Sequence, residues 1–289
     1  MNYVGAVYRP PSEARSLILQ ATVGCSHNRC TFCHMYKDDN FRLKPLADIL
    51  ADLEQAARHR YPYKRLFIAD GDALIMPTQS LVAIMEKAKQ VLPLLERIGI
   101  YASPISIRTK SDEELRLLKK HGLDIAYLGL ESGDDVVLKQ VCKGSTAKEI
   151  LRDAQRLKTA DILLSVTLIS GLGGKERLKE HALHSAQILS EMDPDYLGLL
   201  TLHLSKETPI FKEVQEGRLT LLSPSDVLDE LDILIRHLHV SNMVFRSNHA
   251  SNYWALSGDL PQDKELLLEE IKKARSGLKE RRSEWMRAL

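Results

Sequence analysis

Apolar segments with the length of strands alternate along this chain with segments whose apolar residues recur at helical spacing. Six strand-like segments lie at residues 17–23, 66–69, 98–102, 125–130, 163–169 and 196–202. Strict alternation with short loops requires a parallel sheet with right-handed crossovers. Because these strands are apolar throughout, both faces of the sheet are expected to be covered. Six βα units are too few to close the usual eight-fold barrel.

The helical patterns and one further strand complete the expected organisation. Helices are expected at 45–60, 79–92, 111–121, 134–141, 146–159, 175–192, 224–239 and 262–282, and a short strand at 243–246. The helix at 111 begins with an N-cap serine and an acidic first turn, and it ends at a C-cap glycine, Gly122. No internal repeat or low-complexity linker interrupts the alternation.

The charge balance narrows the classes of function. The chain has 40 basic and 39 acidic residues, a net charge of +1. A large nucleic-acid footprint needs a basic surplus, so nucleic acid is not expected as a partner. No apolar run approaches the length of a membrane span, and the first residues lack the pattern of a signal peptide. We therefore expect a cytoplasmic protein with no membrane partner.

Three of the four cysteines lie within nine positions, directly after the first strand. Cys25, Cys30 and Cys33 are thus on the loop that leaves the C-terminal end of that strand. Thiolates are soft ligands that select iron–sulfur clusters, zinc or Cu(I). A closed structural zinc site has four ligands, whereas a cubane cluster held by three thiolates leaves one iron open to a small molecule. Cys142 lies far along the chain and is interpreted as an ordinary small residue.

In this cysteine motif the chain resembles the radical S-adenosylmethionine (SAM) superfamily. The usual spacing there is C-x3-C-x2-C with an aromatic before the last cysteine; here it is C-x4-C-x2-C, and Phe32 supplies the aromatic. The resemblance implies a [4Fe–4S] cluster on Cys25, Cys30 and Cys33, whose open iron chelates SAM. It further implies reductive cleavage of SAM to a 5′-deoxyadenosyl radical that abstracts hydrogen from a substrate, with a donor such as flavodoxin or ferredoxin supplying the electron.

The resemblance also implies the fold class: α/β, a parallel (β/α)6 partial TIM barrel with a C-terminal extension of helices and a strand. We expect residues 1–16 to be a lead-in and residues 17–202 to be the barrel core. Residues 203–289 are expected to close the open side of the barrel and to contact the substrate, a polar small molecule.

Ligand residues in parallel βα folds gather at the C-terminal ends of the strands. The second strand ends in Asp70, Gly71 and Asp72. By resemblance, the backbone of this turn contacts the methionine amino group of SAM. A tight turn is the alternative explanation of an Asp-Gly pair.

Other strand ends supply the remaining candidates for SAM binding. Glu131 follows apolar residues, where a carboxylate without a partner would be costly. By resemblance it contacts the ribose hydroxyls or the amino group of SAM. The alternative is a glutamate at the start of a helix, where its negative charge interacts favourably with the helix dipole. Ser103 follows the third strand as a candidate ribose or carboxylate contact. Ser165 and Thr167 lie in the fifth strand before the glycine-rich stretch 171–174, which by resemblance packs around adenine.

A polar, aromatic-flanked segment follows the strand at 243–246. Arg246, Asn248, His249 and Asn252 are the candidates for substrate binding in this segment. The stretch 201–203 is expected near the same mouth of the barrel. A hydrogen-bonded loop that caps the barrel is the alternative.

Two other functions remain open for the sequence. A zinc-binding or redox-sensing α/β protein would use the same cysteines without SAM, with His27 or His34 as a fourth zinc ligand. An RNA-modifying radical SAM enzyme is the second, and the neutral charge argues against it.

Overall fold

The computed structural model describes residues 1–37, 39–59 and 61–287. Its strands are β1 (Leu17–Gln20), β2 (Thr22–Val23), β3 (Arg42–Leu43), β4 (Arg65–Ala69), β5 (Arg97–Ala102), β6 (Leu123–Glu131), β7 (Leu163–Ser170), β8 (Tyr196–Thr201), β9 (Met243–Ser247) and β10 (Leu256–Leu260). Its helices are α1 (Leu46–Arg58), α2 (Thr78–Val91), α3 (Pro104–Arg108), α4 (Asp112–Lys120), α5 (Asp135–Gln140), α6 (Ala147–Thr159), α7 (Leu178–Met192), α8 (Pro209–Gln215), α9 (Pro224–His237) and α10 (Lys264–Arg275). None of the helices in the described residues is long and apolar enough to cross a membrane.

The chain divides into two compact units. The first consists of Met1–Asn28, Met35–Leu128 and Asp153–Leu164, and the second of Arg29–His34, Gly129–Arg152 and Ser165–Leu289. The division falls within β6, α6 and β7, so each of these three elements contributes residues to both units. The predicted lead-in, core and extension are a different division of the chain and stay a prediction.

Parallel strands form the centre of the first unit. β4 pairs with β1 on one side and with β5 on the other, and β5 pairs with β6. Because the strands are parallel, β1 and β4 end together, with Gln20 opposite Ala69. Leu19, Phe67 and Ile68 are fully buried, as apolar parallel strands require.

The first predicted strand, 17–23, is divided in two in the structure. β1 ends at Gln20, and β2 pairs antiparallel with β3 in a separate two-stranded sheet. The change of direction occurs at Ala21, whose N–H donates to Ala69 and whose carbonyl accepts from Lys44 at 3.0 Å. Both polar groups of this residue are thereby satisfied outside a single continuous ladder.

The second unit has its own set of strands. β8 pairs in parallel with β7 and β9, and β10 is antiparallel to β9. The strand predicted at 243–246 is therefore present as β9, whereas β10 and α8 had no prediction. The segment 256–260 was not recognised because its alternation of buried and exposed residues is built from Leu, Gly and Leu, a weak strand signal.

Helix boundaries follow local capping where the sequence provides it. Ser111 and Glu114 form the capping box predicted for α4. A second capping box, Ser103 with Ser106, begins α3, which was not predicted. The helix expected to reach residue 282 ends at Arg275, and Gly277 adopts a φ of +76°. A glycine in this left-handed conformation ends a helix.

Candidate functional site

The turn after β4 contains two buried carboxylates, Asp70 and Asp72, which are 1% and 0% exposed. Asp72 Oδ2 accepts hydrogen bonds from the hydroxyls of Ser103, at 2.7 Å, and Ser26. Among the residues that the structure describes, Asp72 Oδ1 has no hydrogen-bond partner. Asp70 accepts from Gln20 Nε2 at 3.2 Å and from the N–H of Gly71 at 2.9 Å. The predicted candidates Asp70, Gly71, Asp72 and Ser103 thus lie together.

The environment of these carboxylates favours a cation. Burial raises the pKa of Asp70 and of Asp72, and in each case hydrogen bonds oppose the shift. Desolvation disfavours the charged form of a carboxylate, and a nearby positive charge restores it. A ligand with an ammonium group would therefore be stabilised beside Asp72.

Gly71 lies against the first cysteine. A Cβ atom at this position would be 2.8 Å from both the Cβ of Cys25 and the carbonyl oxygen of Gly24. Only glycine allows two backbone segments to approach this closely. The second strand end and the beginning of the cysteine motif are therefore in direct contact, as the strand-end rule predicts.

Cys30 and Cys33 lie in the second unit, where the N–H of Cys33 donates to the carbonyl of Cys30 at 3.3 Å. Between them, the N–H of Thr31 donates to Val141 at 3.0 Å, and its carbonyl accepts from Ile210 at 3.1 Å. The ring of Phe32 packs on an apolar cluster formed by Val137, Val141, Ile169, Leu172 and Ile210. The aromatic before the last cysteine thus anchors this part of the motif, and its contact with a cofactor stays a prediction.

All three motif cysteines are half-buried, whereas Cys142 is exposed. Across residues 1–37, 39–59 and 61–287, no three His, Cys, Asp or Glu side chains form a group that could hold a metal ion. Ligation by Cys25, Cys30 and Cys33 therefore stays a prediction from the sequence.

Glu131 ends β6 in the left-handed conformation, with a φ of +65°. Its carboxylate is buried and forms an ion pair with Lys143, at 3.1 Å between Oε1 and Nζ. A Cβ atom at Gly129 would lie 1.9 Å from Glu131 Oε1, so that glycine leaves room for the carboxylate. A non-glycine residue in this conformation costs about 1–3 kcal/mol, and such residues cluster at functional sites.

Ser165 and Thr167 are half-buried on β7 and alternate with buried Leu164, Val166 and Leu168. Successive side chains of a strand point to opposite faces, so the two hydroxyl residues share one face. The glycine-rich stretch begins directly after β7 with Gly171, which has a φ of +80°.

The four candidates for substrate binding have different surroundings. Asn252 is buried, where its amide donates to the carbonyl of Leu199 at 2.8 Å and its oxygen accepts from Thr201 at 2.8 Å. His249 Nδ1 lies 3.0 Å from the Ser251 hydroxyl. Arg246 and Asn248 are exposed, and Arg246 lies 3.8 Å from a carboxylate oxygen of Asp259. The role of all four in substrate binding stays a prediction.

A cavity of about 230 Å³ lies in the second unit, beyond the ends of β7 and β8. Its walls are formed by Gly171, Leu202, His203, Leu204, Leu221, Leu222, Tyr253, Glu284 and Arg287. Burial, with a smaller contribution from the charge of Arg287, lowers the pKa of His203. The stretch 201–203 was expected near a barrel mouth. Tyr253 lies in the polar, aromatic-flanked segment that follows the strand at 243–246, whereas Glu284 and Arg287 have no sequence signal that marks them, because they lie in a segment without periodicity.

Similar proteins connect these observations with a family. The heme chaperone HemW of Bacillus subtilis (strain 168) is 23% identical over 252 residues, which are 80% of this chain and 65% of that protein. The chain thus spans slightly less than two thirds of the length of that relative.

Two solved structures share the fold. Coproporphyrinogen III oxidase (HemN) from Escherichia coli, a radical SAM enzyme, matches 76% of this chain and 51% of its own, with a TM-score of 0.56 and 19% identity. The radical SAM methyltransferase TsrM from Kitasatospora setae, solved with cobalamin and a [4Fe–4S] cluster bound, matches 70% and 39%, with a TM-score of 0.56 and 18% identity. These likenesses confirm the predicted α/β partial-barrel class.

The sequence model of one protein family matches residues 19–184 of this chain. That family is described as the Radical SAM superfamily, and the match covers more than half of the 289 residues. It begins in β1 and includes the cysteine motif, the β4 turn and the end of β6. The chain therefore belongs to the radical SAM superfamily of enzymes, which use a [4Fe–4S] cluster and S-adenosylmethionine.

Proposed function

We propose that Cys25, Cys30 and Cys33 hold the [4Fe–4S] cluster and that the buried turn after β4 holds the amino group of SAM. The donor set fits the cluster, because three half-buried thiols are soft ligands. One-electron reductive cleavage of SAM is the chemistry that the two cofactors supply when bound. A reduced ferredoxin or flavodoxin is the proposed electron donor.

The observation that carries this proposal is the Asp72 carboxylate. Its Oδ2 is fixed by Ser26 and Ser103, and its buried Oδ1 has no hydrogen-bond partner in the described part of the chain. Gly71, the residue before it, contacts Cys25. A buried, oriented carboxylate oxygen beside the cysteine loop fits the ammonium group of SAM.

The other strand-end candidates complete the proposed SAM site. Glu131 is proposed to contact the ribose hydroxyls, with Lys143 holding its Oε1. Ser165 and Thr167 are proposed to lie along the nucleoside, and the 171–174 stretch to pack against adenine. In this arrangement the protein orients SAM and excludes water from it.

For the substrate we propose a polar small molecule in the cavity beyond β7 and β8. His203, Tyr253 and Arg287 are polar groups between leucines there, the composition usual for small-molecule sites. His249 and Asn248 are proposed to contact the substrate from the segment after β9. Because its pKa is lowered, His203 is a neutral imidazole at pH 7 and could accept or relay a proton.

Iron analysis and SAM binding test this proposal. Alanine variants of Cys25, Cys30 and Cys33 should each lose iron after anaerobic reconstitution, while Cys142→Ala should retain it. Asp72→Asn and Glu131→Gln should retain iron but bind SAM about 10- to 100-fold more weakly, because a hydrogen bond to a charged group contributes about 1.5–3 kcal/mol. Full SAM affinity in both variants would refute the placement of SAM.

Haem binding in the same cavity is a second candidate function. A relative named a heme chaperone suggests it, and the neutral imidazole of His203 between Leu202 and Leu204 favours it. Neutral imidazole is a common haem ligand. Titration with haemin should then give a Soret band that His203→Ala abolishes and that the control His239→Ala, an exposed histidine on the segment after α9, leaves unchanged.

A further inference from the structure

A line of buried polar side chains in the second unit connects two strand ends. Ser132, His181 and Glu230 are 0%, 1% and 3% exposed. The Ser132 hydroxyl lies 2.8 Å from His181 Nδ1, and His181 Nε2 lies 4.0 Å from Glu230 Oε1. Glu230 Oε1 also accepts a hydrogen bond from the N–H of Gly171 at 3.0 Å. The line, called here the buried relay, therefore runs from the end of β6 to the end of β7.

The Ser132 hydroxyl connects the β6 turn with α7. Its oxygen accepts from the N–H of Asp134 at 3.0 Å and lies 2.8 Å from His181 Nδ1. The other imidazole nitrogen, Nε2, faces the Glu230 carboxylate at 4.0 Å. Among the described residues, His181 Nε2 and Glu230 Oε2 have no hydrogen-bond partner. The Glu230 carboxylate therefore has two buried polar neighbours, His181 and the Ser170 hydroxyl.

The relay is not a hydrolytic triad, although it contains Ser, His and Glu in line. A nucleophilic serine must reach a substrate, and the Ser132 side chain is fully buried. Any role of these three residues is therefore indirect: they hold the backbone at the ends of β6 and β7, to which they are hydrogen-bonded.

At the end of β6 the backbone is held closely. The N–H of Gly133 donates to the Ser185 hydroxyl of α7 at 2.8 Å. A Cβ atom at Gly133 would lie 2.4 Å from the carbonyl oxygen of His184. Glu131 immediately precedes this turn, so its strained conformation depends on contacts to α7, including the one made by Ser132.

We propose that Ser132, His181 and Glu230 are positioning residues that hold Glu131 and the 171–174 stretch in the geometry that binds SAM. This inference rests on the proposed function, in which those two segments contact SAM. None of the three residues touches SAM. Interrupting the relay removes one of the contacts between the β6 turn and α7, or the bond between Glu230 of α9 and Gly171, and SAM then has to order these segments on binding.

SAM affinity of the anaerobically reconstituted protein tests the inference. His181→Ala, Glu230→Ala and Ser132→Ala should retain iron, and each should bind SAM about tenfold more weakly. Glu230→Gln should restore affinity to within about twofold of wild type, because the amide oxygen can still accept from the N–H of Gly171. Asp232→Ala, on the same helix α9, is the matched control and should bind SAM as wild type does.

The possible outcomes distinguish three cases: the relay positions the SAM-binding segments, the relay only stabilises the fold, or SAM does not bind at the proposed site. A lower thermal midpoint with unchanged SAM affinity in the three alanine variants would overturn the inference, as would a Glu230→Gln variant no better than Glu230→Ala. Hydrogen exchange provides a readout that needs no SAM. In Ser132→Ala the amide of Gly171, at the other end of the relay, should exchange faster; unchanged exchange there overturns the inference even if SAM proves to bind elsewhere.

Discussion

At the residue scale, the contact between Gly71 and Cys25 requires glycine at position 71. The space between the β4 turn and the cysteine loop has no room for a methyl group, since a Cβ would meet Cys25 and Gly24 at 2.8 Å. We predict that Gly71→Ala displaces the loop, with a loss of about 1–3 kcal/mol in stability from overpacking. Iron content after reconstitution should fall with it, measured per polypeptide.

The matched control is Gly198→Ala on β8. Its nearest neighbour would be the carbonyl oxygen of Val166 at 3.8 Å, an ordinary contact. This variant should keep its iron and its thermal midpoint within a few degrees. Wild-type iron content in Gly71→Ala would mean that the loop can move without cost, and the contact would then not define the site.

At the element scale, the segment 276–287 is an arm whose arginines bind the turn after β9. Arg282 Nη1 donates to the carbonyls of His249, Ala250 and Asn252 at 3.0, 3.0 and 2.8 Å. Partly buried carbonyls that lose their donors are costly, as those of His249 and Asn252 would be. We predict that Arg282→Ala speeds hydrogen exchange of residues 249–254 while exchange in α9 is unchanged. Arg281→Ala, at the exposed neighbouring position, is the control, and equal effects of the two variants would contradict a specific role of Arg282.

The same arm illustrates which contacts can be predicted from the sequence and which cannot. Helix α4 was predicted with its capping box because Ser111 and Glu114 are three residues apart, and such local hydrogen bonds are visible in sequence. The three cysteines and Asp72 are candidates because of their position after strands. Arg282 reaches carbonyls 30 to 33 residues away, and Ser103 fixes Asp72 from 31 residues away. No periodicity encodes such contacts, so the end of α10 and the oxygen available on Asp72 required the structure.

At the scale of the whole molecule, the pH dependence of stability is determined by the surroundings of individual carboxylates more than by the net charge. The chain is nearly neutral, yet burial raises the pKa of Asp70, Asp72 and Glu230. On the surface the opposite occurs: Lys279 and Lys273 lower the pKa of Glu270 to about 2. The two kinds of carboxylate therefore affect stability with opposite dependence on pH.

Glu230 allows this dependence to be measured. Burial raises its pKa above the ordinary value of 4.5, and the charge of His181 opposes this change. In the pH range between the two values the folded protein keeps a proton that the unfolded chain has released. The contribution of Glu230 to stability is therefore fully present below the unfolded pKa and is lost as pH rises through the folded pKa. Each unit by which the pKa of Glu230 differs between the folded and unfolded states corresponds to about 1.4 kcal/mol of stability.

We predict that the thermal midpoint of Glu230→Gln, relative to wild type, increases between pH 4.5 and pH 8, because glutamine does not titrate. Glu270→Gln is the control: with a pKa of about 2, Glu270 is ionised in the folded protein throughout this range, and above about pH 6 it is ionised in the unfolded chain as well, so its difference from wild type should be constant there. Differential scanning calorimetry of the three proteins at matched ionic strength measures both differences. A constant or decreasing difference for Glu230→Gln would show that the buried carboxylate is ionised in the folded protein across the whole range, with His181 outweighing the cost of burial.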